Sequence, residues 1–358
     1  MKKIDYYIIK KFLGTFFFSI SLILVIVIVF DISEKIDDFI EKDAPLKAIV
    51  FDYYLNFIPY FVNLFSPLFT FIAVIFFTAK IAANTEIVAI LSSGISFNRL
   101  LRPYIISSLF LAFMTFYLAN FLIPHSNIKR LEFEAAYINN PYRNVHRNIH
   151  VQTQPGEFIY VESYNVLTDV GRKFTMERLN PNGLNFKLTA ETIQWDTINS
   201  TWRLHQYYKR SIKGIEEEIE QGPSKDTILN FTPEIFVIKR KNVDIMNYSQ
   251  LRTFISDEKL KGSKNVAFYL VEKHKRISFP FALVVLTIIG VALSSRKLRG
   301  GIGLHLAIGI IISFAYILFM RISTTFATYG DLSPLLAVWI PNIIFIALGI
   351  YLLKHAPK

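Results

Sequence analysis

Cysteine is absent from all 358 residues. No disulfide, zinc thiolate, thiol nucleophile or lipobox cysteine is therefore available, and any folded part must hold by packing alone. Charge is also scarce, at 19% of the chain against 52% hydrophobic residues. That balance excludes an ordinary soluble globule and makes lipid the solvent for much of the chain. Nor does the sequence contain a G-x-x-x-x-G-K-[ST] phosphate cradle, an H-E-x-x-H helix or a G-x-S-x-G elbow. Gly300, Gly301 and Gly303 come without a lysine to hold phosphate. The chain cannot hydrolyse ATP by itself, and no catalytic residue or metal site is expected in it.

What it does have is six apolar stretches, interrupted once, between the third and fourth, by a long polar insert. Phe12 to Phe30 is 19 residues without a charge, about 28 Å of helix at 1.5 Å per residue against a hydrocarbon core of roughly 30 Å. The run is too long for a signal-peptide core and leads into Asp31-Ile32-Ser33-Glu34-Lys35, not a small-residue cleavage site, so it is expected to stay as a first membrane helix. The other spans are expected at Tyr53 to Ala79, Pro103 to Ile123, Ile277 to Leu293, Ile302 to Met320 and Leu335 to Leu353. Pro59, Pro67 and Pro341 should kink their helices unless neighbours satisfy the freed carbonyls, which argues for a packed bundle.

Orientation follows from lysine and arginine near the helix ends. Lys2, Lys3, Lys10, Lys11, Lys80, Arg99, Arg102, Arg296, Lys297, Arg299, Lys354 and Lys358 all fall on one side if every span crosses. Both termini are then cytoplasmic and the insert is outside. The net charge of +11 is mostly this topology signal, which argues against nucleic acid. Lys273, Lys275 and Arg276 dissent, at the outer end of span four, and a basic collar placed against the bias invites an anionic ligand.

The insert alternates polar and apolar residues with period two. Residues 157–162, 186–195 and 202–208 read as strands, with turn chemistry at 180–183 and 196–201. An open sandwich or jelly-roll is expected. Residues 253–264 are polar and read as a helix or linker. His146 and His150 stand four apart without a third ligand and read as a solvated pair, and the acidic run Glu216 to Glu220 reads as a solvated loop. The domain division is 1–123, 124–272 and 273–358.

In the loop after span two, Asn84-Thr85-Glu86-Ile87-Val88-Ala89-Ile90-Leu91-Ser92-Ser93-Gly94 offers Asn84 as N-cap, an acid in the first turn, an apolar stripe at Ile87, Ile90 and Leu91, and a glycine stop. A short amphipathic helix over about 84–94 fits, either as an interfacial elbow or as a knob that couples to a cytoplasmic ATPase.

Thr85-Glu86-Ile87 followed by Ser93-Gly94, the opening Asp5-Tyr6-Tyr7-Ile8, Arg276 four residues before Pro280, and Tyr329-Gly330-Asp331-Leu332-Ser333-Pro334 with Trp339-Ile340-Pro341-Asn342 resemble the LptF/LptG family. These are the permease subunits of the lipopolysaccharide exporter, and the opening and the loop lean toward LptG. The resemblance covers the whole chain. It implies a membrane α+β protein of the bacterial inner membrane, six transmembrane helices in a 3+3 arrangement around a periplasmic antiparallel β-jelly-roll. It also implies a second LptF/LptG-type permease as partner, an LptB ATPase dimer that uses the ATP and Mg, LptC, a periplasmic bridge protein, and lateral gates at the first and fifth helices. By position Glu86 would be the acidic residue facing LptB, with Ile87, Ile90, Leu91 and Gly94 completing the coupling segment. Lipid headgroups would meet Lys35, Lys42, Lys275, Arg276 and Arg321, because phosphate pairs strongly with lysine and arginine. Asp31 and Glu34 stand where the family often has basic residues, so that edge would hold phosphate only through a bridging divalent ion. Phe158 and Tyr160 are expected on the inner face of the β-domain, along the lipid path. A membrane-anchored periplasmic scaffold or sensor is the alternative, although six kinked spans and a Gly-stopped cytoplasmic helix exceed what a scaffold needs.

Overall fold

The computed structural model describes residues 2–138, 145–165, 168–181, 183–214, 216–236, 243–260, 262–263, 265–296 and 301–356. The chain divides into two compact units, residues 1–138, 244–252 and 267–358 in one and 139–243 with 253–266 in the other. The first three helices therefore extend further along the chain than residue 123.

The first unit holds helices α1 (Lys3–Glu41), α2 (Leu46–Ala48), α3 (Leu55–Ala83), α4 (Glu86–Ser92), α5 (Phe97–Tyr117), α6 (Ile123–Tyr137), α8 (Val266–Ser294), α9 (Gly301–Tyr329) and α10 (Pro334–Lys354); α7 (Tyr248–Leu260) begins in it and runs into the second unit. π-helical segments Ile49–Tyr54 and Leu118–Leu122 join α2 to α3 and α5 to α6 without a break. Six helical segments are long and apolar enough to cross a membrane: Lys3–Glu41, Leu46–Ala83, Phe97–Tyr137, Val266–Ser294, Gly301–Tyr329 and Pro334–Lys354.

Packing follows the helical period. On α1, Ile8, Phe12, Phe16 and Ile20 recur every fourth residue and are buried against Val74, Phe77 and Ile81 of α3 and Leu100, Tyr104 and Leu111 of α5. Helix α8 is the most enclosed span; its Ala282, Val285, Leu286 and Ile289 meet Phe71 and Ile75 of α3, Tyr316 and Met320 of α9 and Phe345 of α10. A Cβ at Gly290 would lie 2.9 Å from Val74 Cγ1 and 3.0 Å from the Phe71 ring, so the two helices approach as closely as they do because that side chain is missing.

The prolines sit inside continuous helices. Pro341 has no N–H, which leaves the Ala337 carbonyl without its intrahelical donor. Ser323 Oγ of α9 donates to that carbonyl at 2.7 Å. One turn away Tyr316 OH donates to Asn342 Oδ1 at 3.0 Å, and Asn342 Nδ2 donates to the Ser278 carbonyl at 3.1 Å. The freed carbonyl of α10 is thus satisfied by a neighbour, and α8, α9 and α10 are stitched through polar atoms in an apolar setting.

The second unit contains β1 (Val145–Gln154), β2 (Glu157–Asn165), β3 (Val170–Asn180), β4 (Gly183–Asp196), β5 (Thr201–Lys213) and β6 (Glu216–Thr227), all antiparallel in one sheet of sequential order. The inserted antiparallel β-domain is present; its described strands run as a meander because each is joined to the next by a short connection, so pairing stays local. The Asp196 carboxylate accepts from the backbone N–H of Ile198 and Asn199 and closes the turn foreseen at 196–201. The inner face carries Ile149, Ile159, Val161, Phe174, Met176, Leu188, Ile193, Trp202 and Leu204, with Phe231 and Phe236 from the segment after β6 packed on it.

Across this sheet runs a crease. Ladder pairing skips one rung in every hairpin at the same transverse row, Asn148, Glu162, Lys173, Glu191, Gln206 and Pro223. Asn148, Lys173 and Gln206, on alternate strands, take left-handed backbone with φ of 53°, 51° and 49°. Each of β2 to β5 then shows two neighbouring side chains away from the core before the inward phase resumes: Val161 and Tyr164 point in around Glu162 and Ser163, Ala190 and Ile193 around Glu191 and Thr192. The unpaired row also explains a proline in β6, since Pro223 stands where no ladder N–H is required.

The acidic run at Glu216 to Glu220 is a strand, correcting the loop expected from its charge. Basic residues of β5 stand opposite it: Arg210 binds Glu217, and Lys209 reaches Glu220 at 3.2 Å. Lys225, Tyr207 and Lys209 converge on Glu220 and hold its carboxyl down from 4.5 to about 2. A carboxyl depressed in the folded state contributes stability that is complete above its unfolded value and lost as pH falls through its folded one. Stability against thermal unfolding, followed by the far-ultraviolet strand signal, should therefore fall as pH drops from 4.5 to about 2, and Glu220→Gln should shrink that loss while leaving neutral-pH ordering of the sheet intact.

Candidate functional site

Helix α4 is a seven-residue knob set off at both ends by left-handed backbone. Asn84 closes α3, its N–H donating to the Lys80 carbonyl at 3.1 Å, so the residue entering α4 is Thr85 at φ 63° and not Asn84. Thr85 Oγ1 donates to the Asn84 carbonyl at 2.6 Å and caps nothing in α4. At the far end Gly94 takes φ 85° with open space around it, so the backbone angle and not crowding calls for glycine there. Ser96 then accepts from the Arg99 N–H and opens α5.

The apolar stripe of α4 points into the bundle. Ile87 is buried and Ile90 and Leu91 are half-buried on the cluster of Ile8, Phe77, Ile81 and Leu100. The exposed face consists of Val88, which is 64% exposed, with Ala89 and Ser92. Glu86 in the first turn accepts from Tyr7 OH at 3.2 Å and from Asn84 Nδ2 at 3.3 Å, so one of its oxygens is tied to α1.

A second tie lies beside it. Asp5, only 5% exposed, takes both terminal nitrogens of Arg99, Nη1 to Oδ1 and Nη2 to Oδ2, each at 2.7 Å, and also accepts from the Lys2 N–H at 2.8 Å. A planar fork on a carboxylate fixes angle as well as distance. From Leu22 to Phe30 the same helix turns apolar side chains outward: Leu22, Val25, Ile26, Val29 and Phe30 are exposed, as are Ile311, Phe314, Leu318 and Phe326 of α9.

The anticipated cationic rim is divided among local partners. Lys35 Nζ lies 2.6 Å from Asp31 and donates to Tyr53 OH; Tyr54 OH also donates to Asp31, at 3.0 Å. The π-helical turn delivers both neighbouring tyrosines to this carboxylate, above the aromatic cluster of Phe39, Phe57 and Phe133. Lys275 Nζ reaches Glu272 at 3.4 Å, Arg276 Nη1 donates to the Met246 carbonyl at 2.7 Å, and Lys273 stands over the Tyr248 ring. Lys42 is half-buried, while Arg321 is exposed. Lys297 and Arg299 lie outside the described residues.

In the β-domain Ile159 and Val161 are buried, whereas Phe158 is 40% exposed and Tyr160 donates to Asn148 Oδ1 and packs on the His150 ring. Phe158 and Tyr160 therefore stand on the face opposite the core, a correction forced by strand phase. No group of three or more potential metal ligands occurs among the described residues; the side chain of His146 lies outside them.

A family model described as "Lipopolysaccharide export system permease LptF/LptG" matches residues 6–355. The chain belongs to the LptF/LptG family. A comparison with curated proteins returns no match. As a member of LptF/LptG it is a permease component of the lipopolysaccharide export system and a multi-pass inner-membrane protein, a component that is not itself catalytic. Within this LptF/LptG chain the sequence marked the α4 segment, Glu86 and the opening Asp5-Tyr6-Tyr7, but not the contacts that fasten one to the other. Tyr7 and Glu86 are 79 positions apart and Asp5 and Arg99 are 94 apart, and no local period links them. Arg99 registered only as one more cytoplasmic charge.

Proposed function

We propose that this permease is one wall of an ATP-driven exporter that extracts lipopolysaccharide from the inner membrane and passes it to a periplasmic bridge. Both termini and α4 are cytoplasmic in this reading, and the β-domain is periplasmic. A second LptF/LptG-type permease completes the path, an LptB dimer supplies ATP hydrolysis with Mg, and LptC assists at one gate. The observation that carries the reading is α4 itself: a knob bounded by two left-handed residues, rooted on α1, α3 and α5 through Ile87 and exposing Val88, Ala89 and Ser92. A small apolar protrusion of this kind suits a cleft in a soluble partner, while the buried stripe carries displacement into the bundle. The outward apolar faces of α1 and α9 suit acyl chains or a partner helix.

The test is recovery of LptB with the purified permease pair. Val88→Asp places a charge on the docking face and should cost about 2 kcal/mol of association, as central contacts in an interface do. Glu86→Arg and Ile90→Asp should also reduce recovery, the second by disturbing the seat of the knob. Full recovery of the ATPase with Val88→Asp would remove α4 from the coupling role.

A further inference from the structure

We infer that Asp5 and Arg99 are positioning residues that make the cytoplasmic end of α1 move as one body with the α4 segment, so that force arriving at α4 reaches the lipid-facing part of α1. The inference rests on the coupling role proposed for α4 and adds the route by which it acts.

Each flank carries a left-handed residue, Thr85 or Gly94; Thr85 gives α4 no side-chain cap, and at the far end the Ser93 hydroxyl, which donates to the Ile90 carbonyl at 2.7 Å, ties the helix only to itself. Its apolar stripe is seated on a cluster shared by α1, α3 and α5. An apolar seat resists separation but allows sliding, because dispersion and burial have little directional preference. Direction has to come from polar contacts of fixed geometry.

Among the described residues, two such contacts run from this region to the first turns of α1. Tyr7 OH donates to Glu86 at the start of α4, and Asp5 grips Arg99 in the first turn of α5, five residues past Gly94. The Asp5 contact is the stiffer: it is bidentate, its carboxylate is almost wholly buried, and the Lys2 N–H occupies it from the α1 side. The Arg99 backbone is pinned in turn by Ser96. Beyond Ile20, by contrast, no residue of α1 is fully buried until Phe39. The helix is gripped near the knob, turns Leu22, Val25, Ile26, Val29 and Phe30 outward along the next stretch, and is tied again at Asp31 and Lys35 by Tyr54 and Tyr53, so a displacement imposed at the first grip is carried along the outward-facing stretch between the two. The ion pair joins α1 to α5 and includes none of the exposed residues of α4, so its loss leaves the docking side chains unaltered.

The test uses the complete complex with its ATPase in phospholipid vesicles containing lipopolysaccharide, measuring ATP hydrolysis and lipid released per ATP. Arg99→Gln should keep hydrolysis within about twofold while release per ATP falls about tenfold, within the range of energetic coupling between sites. Exchanging the charges, Asp5→Arg with Arg99→Asp, should restore most of the lost ratio. Because the chain has no native cysteine, Asp5→Cys with Arg99→Cys offers one thiol pair in this subunit, and a short bis-maleimide bridge across it should restore coupling that the unbridged pair lacks. Release per ATP unchanged in Arg99→Gln overturns the inference. So does a parallel fall of hydrolysis and release that neither the exchange nor the bridge repairs. If the unmodified complex shows no ATPase bound at α4, or Val88→Asp leaves ATPase recovery intact, the coupling reading of α4 fails instead, and the two failures are told apart.

Discussion

Trp202→Ala should cost the β-domain about 3 to 5 kcal/mol, the range for removing a fully buried large aromatic. Trp202 has no exposed surface. Its ring packs on Trp195, Phe231 and Phe236, and its Nε1 donates to the Phe231 carbonyl at 2.9 Å. One truncation therefore opens a cavity and strands a buried carbonyl on the segment that covers the inner face. With one sheet and a thin covering segment, little else can collapse into the gap. Native-state hydrogen exchange on the full chain should read the effect: protection of β3 to β5 amides falls by about two to three and a half powers of ten, while α8 amides keep theirs. Trp202→Phe keeps most of the volume and should lose far less. Equal protection in Trp202→Ala and the parent would show that the aromatic cluster is not what orders the sheet.

Gly290→Leu should destabilise the bundle by prising α8 from α3. The position has no room for even a Cβ without movement, since Val74 and Phe71 stand at 2.9 and 3.0 Å from where it would lie and both are fully buried. They cannot swing into lipid, so α8 must retreat from α3. Overpacking of this kind costs about 1 to 3 kcal/mol, and an enclosed site between two rigid helices belongs at the upper end. Thermal unfolding of the detergent-solubilised permease should drop accordingly, with Gly290→Ala intermediate. A melting temperature unchanged by Gly290→Leu would mean that α3 and α8 do not approach as described.

The architecture was legible in the sequence because hydropathy over about twenty residues is a strong, local signal. All six spans were readable in that way, and the inserted strands at 157–162, 186–195 and 202–208 from their period-two alternation. Helix ends were not, for a physical reason. α1 continues to Glu41 through Asp31 and Lys35 because these pair with each other and are hydrogen-bonded by tyrosines from a π-helical turn, and no composition window sees a partner eighteen or more positions away. Charge misled at Glu216 to Glu220, where solvation was assumed and β5 supplied counter-ions. Alternation misled at Phe158 and Tyr160, since period two gives two faces but does not say which is inner. At the candidate site the knob was legible from its glycine and its stripe; the Asp5 to Arg99 contact was not, because long-range ion pairs leave no trace in spacing.

The transverse crease carries a last consequence for how this family member can drift. In a flat sheet, adding one residue to a strand disturbs that strand and its two neighbours. Here six strands share one unpaired row, at which β2 to β5 change phase, so an inserted or deleted residue on either side of it turns every later side chain of that strand inside out relative to its unaltered companions. A change of length should therefore be tolerated at the hairpin tips, or as gain or loss of a whole outer hairpin, while the middle of the sheet should accept only exchange of side chains at constant length.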